Sequence, residues 1–284
     1  MIPRRLRPPI TRLAGATLAL GATAFASFGP AGADSTAQPL PFSQSWTNTG
    51  QITTSDDWSG VPGIVGYLGD DASNPTTDRD PQTVLTGTVS TTVDVNANLT
   101  NPDTFTTGGV AEFEITDPVV ALQGSGTADS PNLVLNLNTS GQSGINVSYR
   151  LRDIDSASEV VQPFALQYRV GSTGDFTNMP AGFVADATSV GATQVTPVNA
   201  VLPAAANNQP LVQVRIITSN ANGFDEFVGV DNISVTAGPA PVIPEVPMAA
   251  VLPATALALF GGGFLVLRRR QPGGSSSNLG QSAG

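Results

Sequence analysis

The stretch "DDWSGVPGIVGYLGDD", Asp56 to Asp71, places two carboxylate pairs, a Trp, a Tyr and four glycines within sixteen residues. A second acidic group, Asp225, Glu226 and Asp231, lies in "GFDEFVGVDNISV", where the alternation of Val228 and Val230 is broken by Asp231-Asn232 before Ile233 and Val235 resume it. Carboxylates on bent loops are oxygen donors, and calcium takes 6–8 oxygens while tolerating loop carbonyls. The expected metal chemistry is therefore a calcium site drawn from Asp56, Asp57, Asp225, Glu226 and Asp231, without the spacing of an EF-hand. The alternative for the first stretch is a packed Ω-type loop, bent at Gly60, Gly63, Gly66 and Gly69 and pinned by Trp58 and Tyr67. For Asp231, an acid inside an apolar strand, the alternative to a metal is an arginine partner such as Arg215.

The residue types that are missing narrow the chemistry further. The chain has no His and no Cys, and its 12 basic residues are all arginines. Ser-His-Asp and Cys-His catalysis, His-ligated zinc, Schiff-base chemistry and a phosphate-loop lysine are excluded together. Two carboxylates suffice for glycoside hydrolysis, but two Trp and no long aromatic run argue against a sugar cleft. "RDIDS" (Arg152 to Ser156) and "DRD" (Asp78 to Asp80) read as solvated turns. All 22 acidic residues lie between Asp34 and Glu245, opposed there only by Arg79, Arg150, Arg152, Arg169 and Arg215, a net of −17 from five against 22. Such a surface repels phosphate backbones and attracts divalent cations, so nucleic acid is not an expected partner.

The elements that must position these residues read as strands. Period-two alternation sets Leu133, Leu135 and Leu137 on one face of "NLVLNLNTS". It sets Ile145, Val147, Tyr149 and Leu151 inward in "INVSYRLRD", and Phe164, Leu166, Tyr168 and Val170 inward in "FALQYRV". "FSQSWTNTG", Phe42 to Gly50, reads as an edge strand, and "QVTPVNAVLP", "LVQVRIIT" and "EFVGVDNISV" complete the set. Short strands rich in Val, Ile and Thr between Gly, Pro, Asn and Asp turns predict an all-β antiparallel β-sandwich, jelly-roll-like, as one domain over 34–240.

The ends predict an address. Four arginines precede the uncharged run Leu13 to Phe28, a secretory signal pattern over 1–33, and the small-x-small rule at Ala31-Gly32-Ala33 places cleavage before Asp34. After a Pro-rich linker over 241–247, Met248 to Leu267 is twenty residues without a charge, about 30 Å as a helix. Arg268, Arg269 and Arg270 follow at once and would stay cytoplasmic, leaving 34–247 outside and 268–284 as a basic stop with a disordered tail.

This tail resembles those of PEP-CTERM surface proteins, with Pro244, Glu245 and Pro247 in "IPEVP" standing for the Pro-Glu-Pro motif, although Val246 separates Glu245 from Pro247. "LPATA", Leu252 to Ala256, resembles a sortase signal, but it sits inside the apolar span. The closing "DEFVGVDNISV" resembles the last strand of calcium-bearing, carbohydrate-binding-like jelly rolls. Together with "VDVNANLTNPDTFTTGGVAEFEI" and "LQYRVG", these stretches resemble a β-sandwich module of exported bacterial proteins. That module also occurs ahead of endonuclease/exonuclease/phosphatase-type nucleases, for whose catalytic half this chain has no room. The export and anchor pattern together with the missing catalytic residue types predicts a non-enzymatic, membrane- or envelope-anchored surface protein, with calcium as the expected cofactor, in an adhesion, matrix or envelope role. A carbohydrate-binding module, with an aromatic platform near Trp58 or Tyr67 and a glycan or envelope polymer as partner, is the alternative. A carboxylate-dependent hydrolase ranks third.

Overall fold

The computed structural model describes residues 32–71, 79–156, 160–188, 194–221 and 225–238. The expected signal segment through Ala31, the linker residues Pro244, Glu245 and Pro247, the apolar span and Arg268 to Arg270 lie outside the described residues. Among the described residues no helix is long and apolar enough to cross a membrane.

Among the described residues, thirteen strands form two sheets. They are β1 (Gln38–Pro39), β2 (Phe42–Gln44), β3 (Ile64–Tyr67), β4 (Asn96–Leu99), β5 (Gly109–Phe113), β6 (Val119–Gln123) and β7 (Asn132–Asn138), followed by β8 (Ser143–Asp153), β9 (Phe164–Val170), β10 (Thr177–Asn178), β11 (Val195–Val201), β12 (Val212–Thr218) and β13 (Val228–Gly238). One sheet runs β1-β7-β12-β9-β10, with β3 also on β7. The other runs β11-β8-β13-β6-β5-β4, with β2 on β13. The sandwich is thus as expected, with one difference: β1–β7 and β4–β5 pair in parallel. Both are short peripheral ladders, where a chain can join an edge in either direction.

Alternation places the core as the sequence implied. Leu133, Leu135, Leu137, Val212, Val214, Ile216, Phe164 and Leu166 from the first sheet are buried against Ile145, Val147, Tyr149, Leu151, Val228, Val230 and Val235 from the second. Burying a Leu, Ile or Val side chain contributes about 1.5–3 kcal/mol, so these residues supply the main driving force for closing the two sheets.

The Asp56 to Asp71 stretch is bent as expected at Gly63 and Gly69, both with positive φ, but not at Gly66. Ile64 to Tyr67 is a strand on β7, and Gly66 inside it leaves room for the Trp58 ring. Trp58 is fully buried, donates its indole N–H to the Asp94 carbonyl at 3.0 Å, and meets Trp46 edge to face at 6.3 Å. Tertiary packing, not turn formation, is what this glycine serves.

On the outer face of the first sheet, Val84, Val89, Ala165 and Ile217 make a second small core. Beneath it lies Arg215, wholly buried, which donates to the carbonyls of Val84 (2.5 Å) and Thr86 (2.9 Å) and to Gln167 Oε1 (2.8 Å). Its guanidinium also sits 4.0 Å from the Phe176 ring centroid. Arg215 thus fastens the 79–92 segment and does not reach Asp231. Burial, with the nearby Arg169, pulls its pKa down to about 9, so it remains charged at neutral pH.

At the free edge of the second sheet, β11 carries Pro197 between the exposed Val195 and Val201. Leu202 N–H and Gln194 C=O bond inward to β8, so Pro197, of opposite parity, faces outward along the edge.

Candidate metal centre

The inward parity of β8 does not stop at Leu151. Asp153, the next residue of that parity, closes the strand at 3 % exposure, and Asp155 beyond it is 1 % exposed. Opposite them the chain enters β13: Val228 pairs with Asp153, and the Ile154 amide donates to the Phe227 carbonyl at 3.3 Å. Phe227 is anchored in the core by Phe113, edge to face at 5.0 Å, and by Phe105 at 5.8 Å. That anchoring holds Glu226, 1 % exposed, beside the two aspartates.

One carboxylate oxygen from each of Asp153, Asp155 and Glu226 lies within 4.8 Å of the others. Two backbone amides orient the set: Phe227 N–H donates to Asp155 Oδ2 at 2.6 Å, and Val160 N–H donates to Glu226 Oε1 at 2.8 Å. Calcium–oxygen distances run about 2.3–2.6 Å, so ligands on opposite sides of one ion stand about 4.6–5.2 Å apart. Oxygens spaced within 4.8 Å of one another can therefore share one calcium sphere. Three carboxylates can give three to six oxygens according to denticity.

Of the five ligands expected from sequence, the structure brings only Glu226 into this group. Asp225 turns Oδ1 to the Ala221 amide at 2.5 Å and faces Gly124, and burial pushes its carboxyl up to about 6. Asp231 sits at the β-bulge of β13, where Arg152 reaches it at 3.1 Å while also pairing with Asp117 at 3.1 Å. The arginine partner is therefore Arg152, not Arg215. Burial raises the Asp231 carboxyl, while the Asn232 amide and Arg152 draw it back down. Asp56, with φ of +61°, exchanges backbone and side-chain hydrogen bonds with Val95. Asp57 accepts from the Ser59 amide at 2.9 Å in a solvent-facing turn. At the far end of the stretch, Asp71 is buried and paired with Arg79 at 3.0 Å.

The two aspartates that complete the group come from "RDIDS", which reads as a solvated turn. That reading is corrected by the strand: parity 145, 147, 149, 151 continues to 153, and Asp155 folds back against the Phe227 amide. At 1–3 % exposure the trio is beyond the reach of a polysaccharide, which removes it as a glycosidase pair in this conformation. Trp46 and Trp58 are both buried, and among the described residues Phe42, Tyr67, Phe105, Tyr168 and Phe183 are half-buried.

No protein-family model matches the chain, and no curated protein is significantly similar to it. Among solved structures, it is similar to a carbohydrate-binding module specific for non-crystalline cellulose, at 13 % identity over 50 % of this chain and 88 % of that one, TM-score 0.33. A xylan-binding module is similar at 11 % identity over 63 % and 92 %, TM-score 0.34. A cleaved adhesin domain of Lys-gingipain from Porphyromonas gingivalis is similar at 16 % identity over 43 % and 75 %, TM-score 0.31. These are distant likenesses over part of the chain, and no ligand is assigned from them.

Proposed function

We propose that the chain is an exported surface module: a non-catalytic β-sandwich, anchored through 248–267, whose rim is fastened by calcium at Asp153, Asp155 and Glu226, in an adhesion, matrix or envelope role. The observation that carries the calcium reading is the convergence of three buried carboxylates from two separate segments, the end of β8 and the approach to β13, with one oxygen of each within 4.8 Å of the others. An ion there ties together the two longest strands of the second sheet. The lack of His, Cys and Lys, the strongly acidic exterior and the two apolar ends agree with a displayed structural element rather than a catalyst.

The test is thermal melting of the purified chain in chelator and in millimolar calcium. Binding to the folded state at a hundredfold excess over Kd stabilises by about 2.7 kcal/mol, or about 5–10 °C for a domain of this size. The response is expected to vanish in the Asp155→Asn/Glu226→Gln variant, which keeps the side-chain shapes while removing two charges. Equal midpoints of the parent chain in chelator and calcium would refute the metal.

A further inference from the structure

The residues immediately before the sandwich are built into it. The Gly32 carbonyl accepts the Trp58 amide at 2.8 Å, Ala33 bridges Trp58 in parallel, and the Asp34 carbonyl accepts the Gly63 amide at 2.9 Å. Gly32 also packs against Ser59, where a Cβ on the glycine would stand 3.1 Å from the serine Cβ. Its amide adds to the Ser59 hydroxyl and amide in holding the Asp57 carboxyl below its ordinary range. Residues 32–34 thus form a rail along 57–63, and the backbone amide of a fully buried tryptophan finds its acceptor in Gly32.

Cleavage after Ala31-Gly32-Ala33 would remove that acceptor and the Ala33 bridge. It would leave the amide of Trp58, which anchors both β3 through Gly66 and the 94–95 segment through its indole, without its partner. Small residues at the third and first positions before a cut are what signal processing requires, and Ala22-Thr23-Ala24, Ala24-Phe25-Ala26 and Gly29-Pro30-Ala31 meet that rule as well as Ala31-Gly32-Ala33 does, each leaving Gly32 in the mature chain. We propose that export processing falls at one of these upstream triplets, so that the mature chain keeps Gly32 and Ala33 as part of its folded body. The proposal rests on reading Leu13 to Phe28 as a secretory signal.

Intact mass and N-terminal sequencing of the full-length chain, expressed in a secreting bacterial host, test it. The expected mature start is Phe25, Ser27 or Gly32. Leu at the residue just before the observed start (Ala24→Leu, Ala26→Leu or Ala31→Leu) is expected to abolish that product. Ala33→Leu, at an exposed position, is expected to leave it unchanged. A start at Asp34, lost in Ala33→Leu, overturns the proposal and leaves export standing. An uncut chain beginning at Met1 overturns both.

Discussion

Gly66→Ala is the most direct probe of how the Asp56 to Asp71 stretch is held. A Cβ at Gly66 would stand 2.8 Å from the Asp94 carbonyl and 2.9 Å from Trp58 Cε2, with Cζ2 closer still. Neither neighbour is a flexible tip: one is backbone, and the other is a fully buried indole wedged against Trp46. Overpacking of this kind costs about 1–3 kcal/mol. Displacing the indole also weakens its N–H bond to Asp94, a loss of about 1 kcal/mol. The total of about 2–4 kcal/mol predicts a midpoint about 5–15 °C below the parent by calorimetry. Gly126→Ala is the control, because Gly126 is exposed with nothing within 4 Å of its would-be Cβ. It should be neutral or slightly stabilising through the unfolded chain. In a Trp58→Phe background the added methyl should cost markedly less, a coupling that a double-mutant cycle reads. Gly66→Ala melting within about 1 °C of the parent would refute this account of the packing.

Two further perturbations address charge in the interior. Arg215→Met should destabilise by about 3–5 kcal/mol, because the carbonyls of Val84 and Thr86 and the Gln167 oxygen lose a charged donor inside the protein; limited proteolysis should then cut within 79–92. Asp94 is the pH probe: burial, opposed by the Val110 amide and reinforced by the Asp56 charge, pushes its carboxyl from 3.8 up to about 6. A raised carboxyl favours folding when protonated, so its contribution is complete below pH 3.8 and is lost as pH rises through about 6. A rise of that size corresponds to about 3 kcal/mol, and Asp94→Asn should flatten the fall in stability between about pH 4 and 6.5 in chemical denaturation. An unchanged pH profile in Asp94→Asn would assign that fall to other carboxyls.

The sandwich was legible because alternation is a strictly local signal. Leu133 to Leu137 and Ile145 to Leu151 each show one apolar face whatever the rest of the chain does, and both lie in the core. The same signal, followed one step further, would have turned Asp153 inward; its charge suggested water instead. Asp155 had no such cue, since its burial depends on Phe227, 72 positions away along the chain. Gly66 misled for a related reason: glycine spacing marks bending only when nothing large needs the space, and Trp58 does. The sequence offers any arginine, Arg215 among them, as the partner of Asp231, because only the fold sets β8 beside β13, from where Arg152 reaches Asp231, and puts Arg215 in the other sheet.

The proline on β11 bears on how many copies could stand side by side. A strand at a sheet margin offers its outward amides to any identical strand nearby, and the valines flanking Pro197 would strengthen that attraction. Because Pro197 lies in the outward-facing register, it leaves the internal ladder intact and deletes one of the outward donors at mid-strand. A crowded layer of these modules would thus be discouraged from zipping into continuous sheet, each copy staying a discrete particle.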